Sequence, residues 1–521
     1  MRRIISIAGV LVLCCILYFV VFAERACANN ISVSNAIVGP QNSSTDVMVM
    51  QFDISWSNSW RDSDNYDAAW VFLKYSTDGG TTWSHATLKT SGANPADCNI
   101  GSGTVIDIIV PTDKKGAFLQ RAANGTGALS TTSVQLTWDY GTDITASTKD
   151  TDAALAIIKV MAIEMVYIPT GSFSVGSGGS ETSAFYTYPT TTTIYTIGSE
   201  GAITVGTENG NLYYASTTYG GDQTGPIPAN FPKGYSAFYI MKYEASQGQY
   251  RDFLNTLTRA QQAGRVGTSL AAGTTLVTNR YVMSNTDTLQ NRIAIRCDAT
   301  IHTSNPITFY CDFDGDGAAD ESGDGEWIAC GYLSTADMFA YADWAGLRPM
   351  TEFEYEKACR GAAAAVSNEY AWGSTDITNA DGLTNSGLTS ETVSGSGNGL
   401  CNYNNDSILG MLRCGFGATT STTRIQAGAS FYGVIDMSGN AWERCVSAGN
   451  ATSRLFTGLQ GDGALDSSGN ANVANWPTSL GFRGSGWEGV STYVRVSDRA
   501  YANGDFSDRV NTYGIRCVRT S

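Results

Sequence analysis

Charge is scarce in this sequence: Asp, Glu, Lys and Arg together make up 15% of 521 residues. Histidine is scarcer, with His85 and His302 the two in the chain. His302 sits in the polar loop "ATIHTSNP" with no nucleophile motif beside it, which leaves Ser–His–Asp catalysis without support. No Cys-x-x-Cys occurs, so thioredoxin-like and zinc-ribbon sites are excluded. No spacing among the 48 Asp and Glu residues singles out a glycosidase carboxylate pair. The net charge is −16, and a phosphate backbone would be repelled rather than held, which excludes nucleic acid as a partner. Beyond residue 22 no apolar run is long enough to span a bilayer.

The chain does have length and apolar content. Its 521 residues, 42% of them hydrophobic, suffice for two to four domains with proper cores. Arg2 and Arg3, an apolar run from Ile4 to Phe22 and Ala26-Cys27-Ala28 read as a signal peptide over residues 1–28, cleaved before Asn29. This predicts a secreted or extracytoplasmic protein, in the periplasm or at the cell surface. An uncleaved N-terminal anchor is the one membrane attachment the sequence allows. The cysteines after that point are Cys98, then Cys297, Cys311, Cys330, Cys359, Cys401, Cys414, Cys445 and Cys517. Outside the cytoplasm, the eight clustered ones are expected as structural disulfides whose pairing the sequence does not give.

Residues 29–160 alternate in short runs such as "VMVMQFDISW" and "AAWVFLKYS", broken by Gly, Asn, Asp and Ser, and predict an all-β sandwich of Ig or fibronectin type. Within it, "STDGGTTW" (Ser76–Trp83) resembles the Asp-box hairpin of sialidases and other β-proteins, and is read as a structural turn. A second unit spans 161–521, with a Thr/Ser/Gly/Tyr-rich insertion at about 176–228. Three helices are placed by capping-box spacing: Ser246 with Gln249, Ser334 with Asp337, and Thr351 with Glu354. The second unit is therefore α+β.

The ordered segments "MVYIPTGSFSVGS", "FYIMKYEASQGQYRDFLN", "WAGLRPMTEFEYEKACRG", "EYAWGS", "YGVIDMSGNAWE" and "FRGSGW…GIRCV" resemble the sulfatase-modifying-factor family, founded on the formylglycine-generating enzyme. The resemblance implies a variant of the C-type lectin fold. It also implies a copper ion held by two cysteines just after a Gly-Gly-Ser-aromatic motif, with oxygen oxidising a substrate cysteine; thiolates suit Cu(I) because both are soft. Here no cysteine lies between Cys445 and Cys517, Gly486 stands for the motif's serine, and Arg444 stands for the second Trp of Gly-Asn-x-Trp-Glu-Trp. No copper is expected. Related iron enzymes need a histidine triad, which two histidines cannot supply.

Calcium is the expected metal, in a structural role. In "CDFDGDGAADESGDGEW", Asp312, Asp314, Asp316, Gly317 and Asp320 match positions 1, 3, 5, 6 and 9 of a calcium loop. Position 12 falls on Gly323, and Asp324 or Glu326 could complete the set. The resemblance implies a second calcium site at Asn440 and Glu443. Trp442, Trp344 and Trp372 are read as core.

The closing stretch, Trp487 to Tyr513, corresponds by resemblance to the ligand surface of lectin-fold proteins. Its Tyr, Trp, Ser, Asn and Arg are what binding surfaces use. Trp487, Glu488, Ser491, Tyr493, Tyr501, Asn503, Asp505, Phe506 and Tyr513 are expected on display, and Arg499, Arg509 and Arg516 are expected as scaffold. The layout also resembles the variable regions of lectin-fold proteins diversified by bacterial retroelements. The sequence thus points to an exported, non-catalytic binder of a protein or glycan ligand, carried by a cell surface or free. The alternatives are a formylglycine-generating oxidase acting on sulfatase cysteines and a structural cell-surface or extracellular assembly subunit.

Overall fold

Every residue of the strand Asp67–Ser76 is buried, which for a period-two element means that both of its faces meet a core. In the computed structural model, which describes residues 30–319, 321–405, 407–504 and 506–520, Ala69, Val71, Leu73 and Tyr75 point into an N-terminal core. Ala68, Trp70 and Phe72 point the other way, into the larger core of the second unit. The antiparallel neighbour Ile157–Ile168 behaves alike, in register from Ile157 opposite Ser76 to Val166 opposite Asp67. Its Ile158, Val160 and Ala162 enter the N-terminal core, and Met161, Ile163 and Met165 enter the other. The expected boundary at residues 160/161 falls inside this strand, so the two units share one sheet. The expected signal segment, residues 1–28, lies outside the described residues.

A second sheet of Ser32–Asn42, Val47–Arg61, Gly125–Trp138 and Ser102–Gly103 closes the N-terminal core. Val47–Arg61 shows why: Met48, Met50, Phe52, Ile54 and Trp56 alternate inward along it. Asp78 makes the expected hairpin turn, its carboxylate accepting from the backbone N–H of Thr81 (3.1 Å) and Thr82 (2.9 Å). On the far side of Ile157–Ile168 the shared sheet continues through Phe238–Met241, Cys517–Arg519, Arg348–Thr351, Glu443–Val446 and Gly481–Arg483. These ladders are antiparallel except Arg348–Thr351 against Glu443–Val446, which is parallel. The last strand of the chain is thus interior to the sheet, and whatever precedes it is pulled across one end.

The three capping boxes form as the sequence predicts, heading helices Gln247–Leu254, Thr335–Trp344 and Glu352–Arg360. A fourth, Thr258 with Gln261, heads Arg259–Arg265; that helix lacks an apolar stripe, so periodicity gave no sign of it. The insertion is not a bare loop. Phe173–Val175 pairs with Tyr195–Ile197 and Tyr186–Thr187 with Leu212–Tyr213, and Phe185, Ile203, Leu212 and Tyr214 join the large core. The architecture is α+β with few helices. Among the described residues no helix is long and apolar enough to cross a membrane.

The cysteines correct an expectation: no disulfide joins the described ones. Cys297, Cys311, Cys330, Cys414 and Cys517 lie in the large core, and Cys359, Cys401 and Cys445 in a neighbouring cluster. They pack as small hydrophobes. Burial pushes the Cys297 thiol up to about 12. Cross-unit polar ties stand in for staples: Trp70 Nε1 donates to the Ala345 carbonyl (2.8 Å), Lys74 Nζ to the Gly463 carbonyl (2.9 Å), and Arg519 stacks over Trp70 at 4.1 Å while pairing with Asp113 at 2.6 Å.

Because one sheet belongs to both cores, the described chain is expected to unfold in a single calorimetric transition. Trp70→Ala, which opens a void at the junction, should lower stability by about 3–5 kcal/mol and keep the transition single. Two resolved transitions in the parent protein would contradict the shared sheet.

Candidate functional site

Helix Glu352–Arg360 has acids at both ends of an i, i+4 pair, and the closing segment supplies their partners. Arg499 grips Glu352 with two hydrogen bonds, Nε to Oε2 at 2.7 Å and Nη2 to Oε1 at 3.0 Å, and its Nη1 donates to the Ser183 carbonyl. Burial alone would raise the Glu352 carboxyl, but Arg499, Arg483 and the Ala448 N–H hold it below the usual range. Arg483 pairs with Glu356, and Arg516 pairs with Glu443 while donating to the carbonyls of Met241 (2.8 Å) and Ile435 (2.7 Å). Arg509 is bidentate on Asp337, at 2.7 and 2.8 Å. A chain region with almost no regular structure is thereby held in one shape.

What it is held around is a cavity of about 520 Å³, whose wall includes Asn405, Trp442, Phe482, Glu488, Val490, Tyr493, Tyr501, Phe506, Val510, Thr512 and Tyr513. The aromatic rings touch in sequence. Trp442 meets Tyr501 edge-on at 5.4 Å, Tyr501 meets Tyr493 at 5.5 Å, and Phe482 meets Tyr513 at 4.5 Å. Tyr219 of the insertion extends the wall by stacking on Tyr501 at 5.7 Å. Glu488, exposed, is the one charged residue on the wall.

Behind the wall lies Arg444, fully buried. Strand alternation aims it opposite to Glu443 and Cys445, under Phe482 and Tyr513, with its guanidinium 4.9 Å from each ring. Nη2 donates to the Leu333 carbonyl (2.8 Å), whereas Nε and Nη1 have no partner. Burial pulls this guanidinium down to about 10, against the opposing pull of Asp337. Thr512 Oγ1, Ser485 Oγ and Trp487 Nε1 are also buried without partners. Of these residues, Thr512 lines the pocket and Arg444 lies under two of its rings.

The structure sorts the residues expected on display. Glu488, Tyr493, Tyr501, Phe506 and Tyr513 line the pocket. Trp487 does not: it is 4% exposed and packed into the large core, a correction that follows from the Trp487 N–H donating to the Asn440 carbonyl and turning the ring inward. Ser491 is half-buried on the turn between wall residues, and Asn503 faces away, accepting from Asn450 Nδ2 at 2.9 Å. Asp505 lies outside the described residues. Trp442, read as core, is on the wall. Phe482, Asn405, Val490, Val510 and Thr512 are further wall residues; Phe482 comes from the strand Gly481–Arg483, and Asn405 is tied in by its N–H donating to the Trp487 carbonyl (2.9 Å).

No cysteine lines this pocket. Its donors are phenols, an indole, an amide, a hydroxyl and one carboxylate, none of which replaces two thiolates for Cu(I). The copper centre implied by the resemblance does not fit these residues.

The residues expected to hold calcium divide. Asn440 Oδ1 already accepts from Asn402 Nδ2 (3.0 Å) and the Leu412 N–H (2.9 Å), and Glu443 is engaged by Arg516. Each thus has its own protein partner, and Glu443 Oε2 is buried without one. In the acidic loop, Asp312 is buried and pairs with Arg296, Asp314 and Asp316 are exposed, and Asp320 lies outside the described residues. Burial pushes Asp324 up to about 6, with Asp314 and Glu326 adding to the effect.

A short mixed sheet with its last strand threaded inside, and a closing segment pinned over an aromatic pocket, define an α+β domain that displays irregular chain on a rigid frame. The chain belongs to the sulfatase-modifying factor enzyme 1-like domain family, whose pattern matches residues 158–521. That span begins one residue into the shared strand. The chain is also similar to the formylglycine-generating enzyme of Mycobacterium tuberculosis, 36% identical over 107 residues. The similarity covers 20% of this chain and 29% of that relative's length.

Asp498, within the closing segment, accepts from the N–H groups of Thr182 and Ala500, and burial raises its carboxyl from 3.8 to about 6. The folded state therefore holds a proton that the unfolded state has lost. The resulting stability is fully present below about 3.8 and is lost as pH rises through about 6. The melting temperature of the parent minus that of Asp498→Asn should be larger at pH 5 than at pH 8; a difference independent of pH would contradict this.

Proposed function

We propose that this chain is an exported, non-catalytic binding protein that uses its family domain, in a C-type-lectin-like arrangement, to present the aromatic pocket to a protein or glycan ligand. The observation that carries the reading is the wall itself. Six aromatic rings and one carboxylate occupy the place where the resemblance puts two copper-binding thiolates. Rings of this kind offer large contact area at low entropic cost, and the arginine pairs beneath them reduce what binding must spend on ordering. The unpartnered Thr512 hydroxyl on the wall favours a ligand with its own polar groups. Export rests on the signal-like residues 1–28.

The similarity to a formylglycine-generating enzyme supports a second reading, oxidation of a substrate cysteine. The two separate on one protein preparation. Copper-loaded protein is incubated with oxygen and a cysteine-containing sulfatase peptide, and the same protein is applied to arrays of glycans and of purified cell-surface proteins. The binding reading predicts no formylglycine by mass spectrometry. It also predicts a retained ligand whose affinity falls about thirtyfold in Tyr501→Ala, the loss that about 2 kcal/mol at a central aromatic represents. Catalytic conversion of the peptide, or a ligand indifferent to Tyr501→Ala and Phe506→Ala, would overturn it.

A further inference from the structure

The acidic loop after the strand Tyr310–Cys311 brings together three of the carboxylates that the calcium-loop spacing offered. Oxygens of Asp312, Asp314 and Asp324 lie within 4.8 Å of one another, and Asp314 is shared with a second, exposed group, Asp316 and Glu321. Gly315 and Gly317, at φ +80° and +87°, turn the chain tightly enough to do this. Asp312 Oδ1 accepts from the Gly315 N–H (2.9 Å) and, more weakly, the Gly317 N–H (3.4 Å), fixing the first carboxylate. Within the loop the cationic partner is Arg296, on Asp312.

Asp324 carries the argument beyond an acidic patch. It is 1% exposed; its Oδ2 accepts from the Glu321 N–H at 2.6 Å, and its Oδ1 is buried with no hydrogen-bond partner. A buried carboxylate with one oxygen lacking a donor, clustered with two other carboxylates, is strongly unfavourable unless a cation lies among them. A spread of 4.8 Å is no wider than the span across a Ca²⁺ ion ligated at about 2.3–2.6 Å. We propose that Asp312, Asp314 and Asp324 form a site for a hard divalent cation, Ca²⁺, that holds the loop closed. The closing ligand is Asp324, one residue past the position a standard calcium loop would use, and Asp316 belongs to the neighbouring exposed group. The ion acts structurally: downstream of Asp324 the chain runs to Tyr332 and Leu333, whose N–H groups bond the carbonyls of Val510 and Tyr513 on the pocket wall.

The test uses the full chain, freed of metal with a chelator and desalted, with Tb³⁺ and Ca²⁺ as probes. Tyr281, whose hydroxyl donates to the Asp312 carbonyl at 3.1 Å, is placed to sensitise terbium emission. One sensitised Tb³⁺ per chain is expected, displaced by Ca²⁺ and not by equal Mg²⁺, with Ca²⁺ also raising the melting temperature. Asp314→Asn, at an exposed position, and the near-isosteric Asp324→Asn should each weaken binding at least about tenfold, the factor that about 1.4 kcal/mol represents. Asp287→Asn, outside the loop, should leave it unchanged. Absence of sensitised emission, binding unaffected by either loop variant, or equal displacement by Mg²⁺ would overturn the assignment.

Discussion

Buried arginine–carboxylate pairs hold the second unit together. Glu352 and Glu356, four residues apart on one helix, receive Arg499 and Arg483, and Arg516 closes on Glu443 from just before the last strand. Such pairs contribute little over an apolar core of equal volume, yet removing one partner leaves a buried charge and costs about 3–5 kcal/mol. They therefore act by specifying shape. A closing segment with almost no helix or strand needs that, since its own backbone cannot say where Tyr493 or Tyr501 should stand.

The paired arginines and acids Arg483, Arg499, Arg516, Glu352, Glu356 and Glu443 are buried, and none of them lines the pocket. Arg444 departs from the family pattern at a single residue. A tryptophan is implied there by the family pattern; a guanidinium now sits under two rings with two unpartnered nitrogens, preserving packing while changing the polarity behind the wall.

Much of this was legible in the sequence where the signal was local. Capping spacings placed three helices, alternation placed N-terminal strands, and the ordered motifs placed the family. Five of the residues expected on display line the pocket, because they sit in one short stretch whose composition suits binding. What was not legible depended on long-range pairing or on rotation about a backbone. Trp487 is adjacent to Glu488 yet points the opposite way. Phe482 reaches the pocket through the strand order. The cysteines were read as staples from compartment alone, whereas their surroundings make them core. Between Asp324 and Glu326 as the residue closing the acidic loop the spacing did not choose, because that is a matter of backbone path that spacing does not encode.

The pocket stands on a frame of paired arginines and carries no thiolate pair on its wall. Adding one equivalent of Cu(I) to the purified protein and recording X-ray absorption at the copper edge addresses this most directly. The account predicts no tightly held copper with a two-sulfur signature. A stoichiometric centre, one copper bound by two sulfurs per chain, would contradict it.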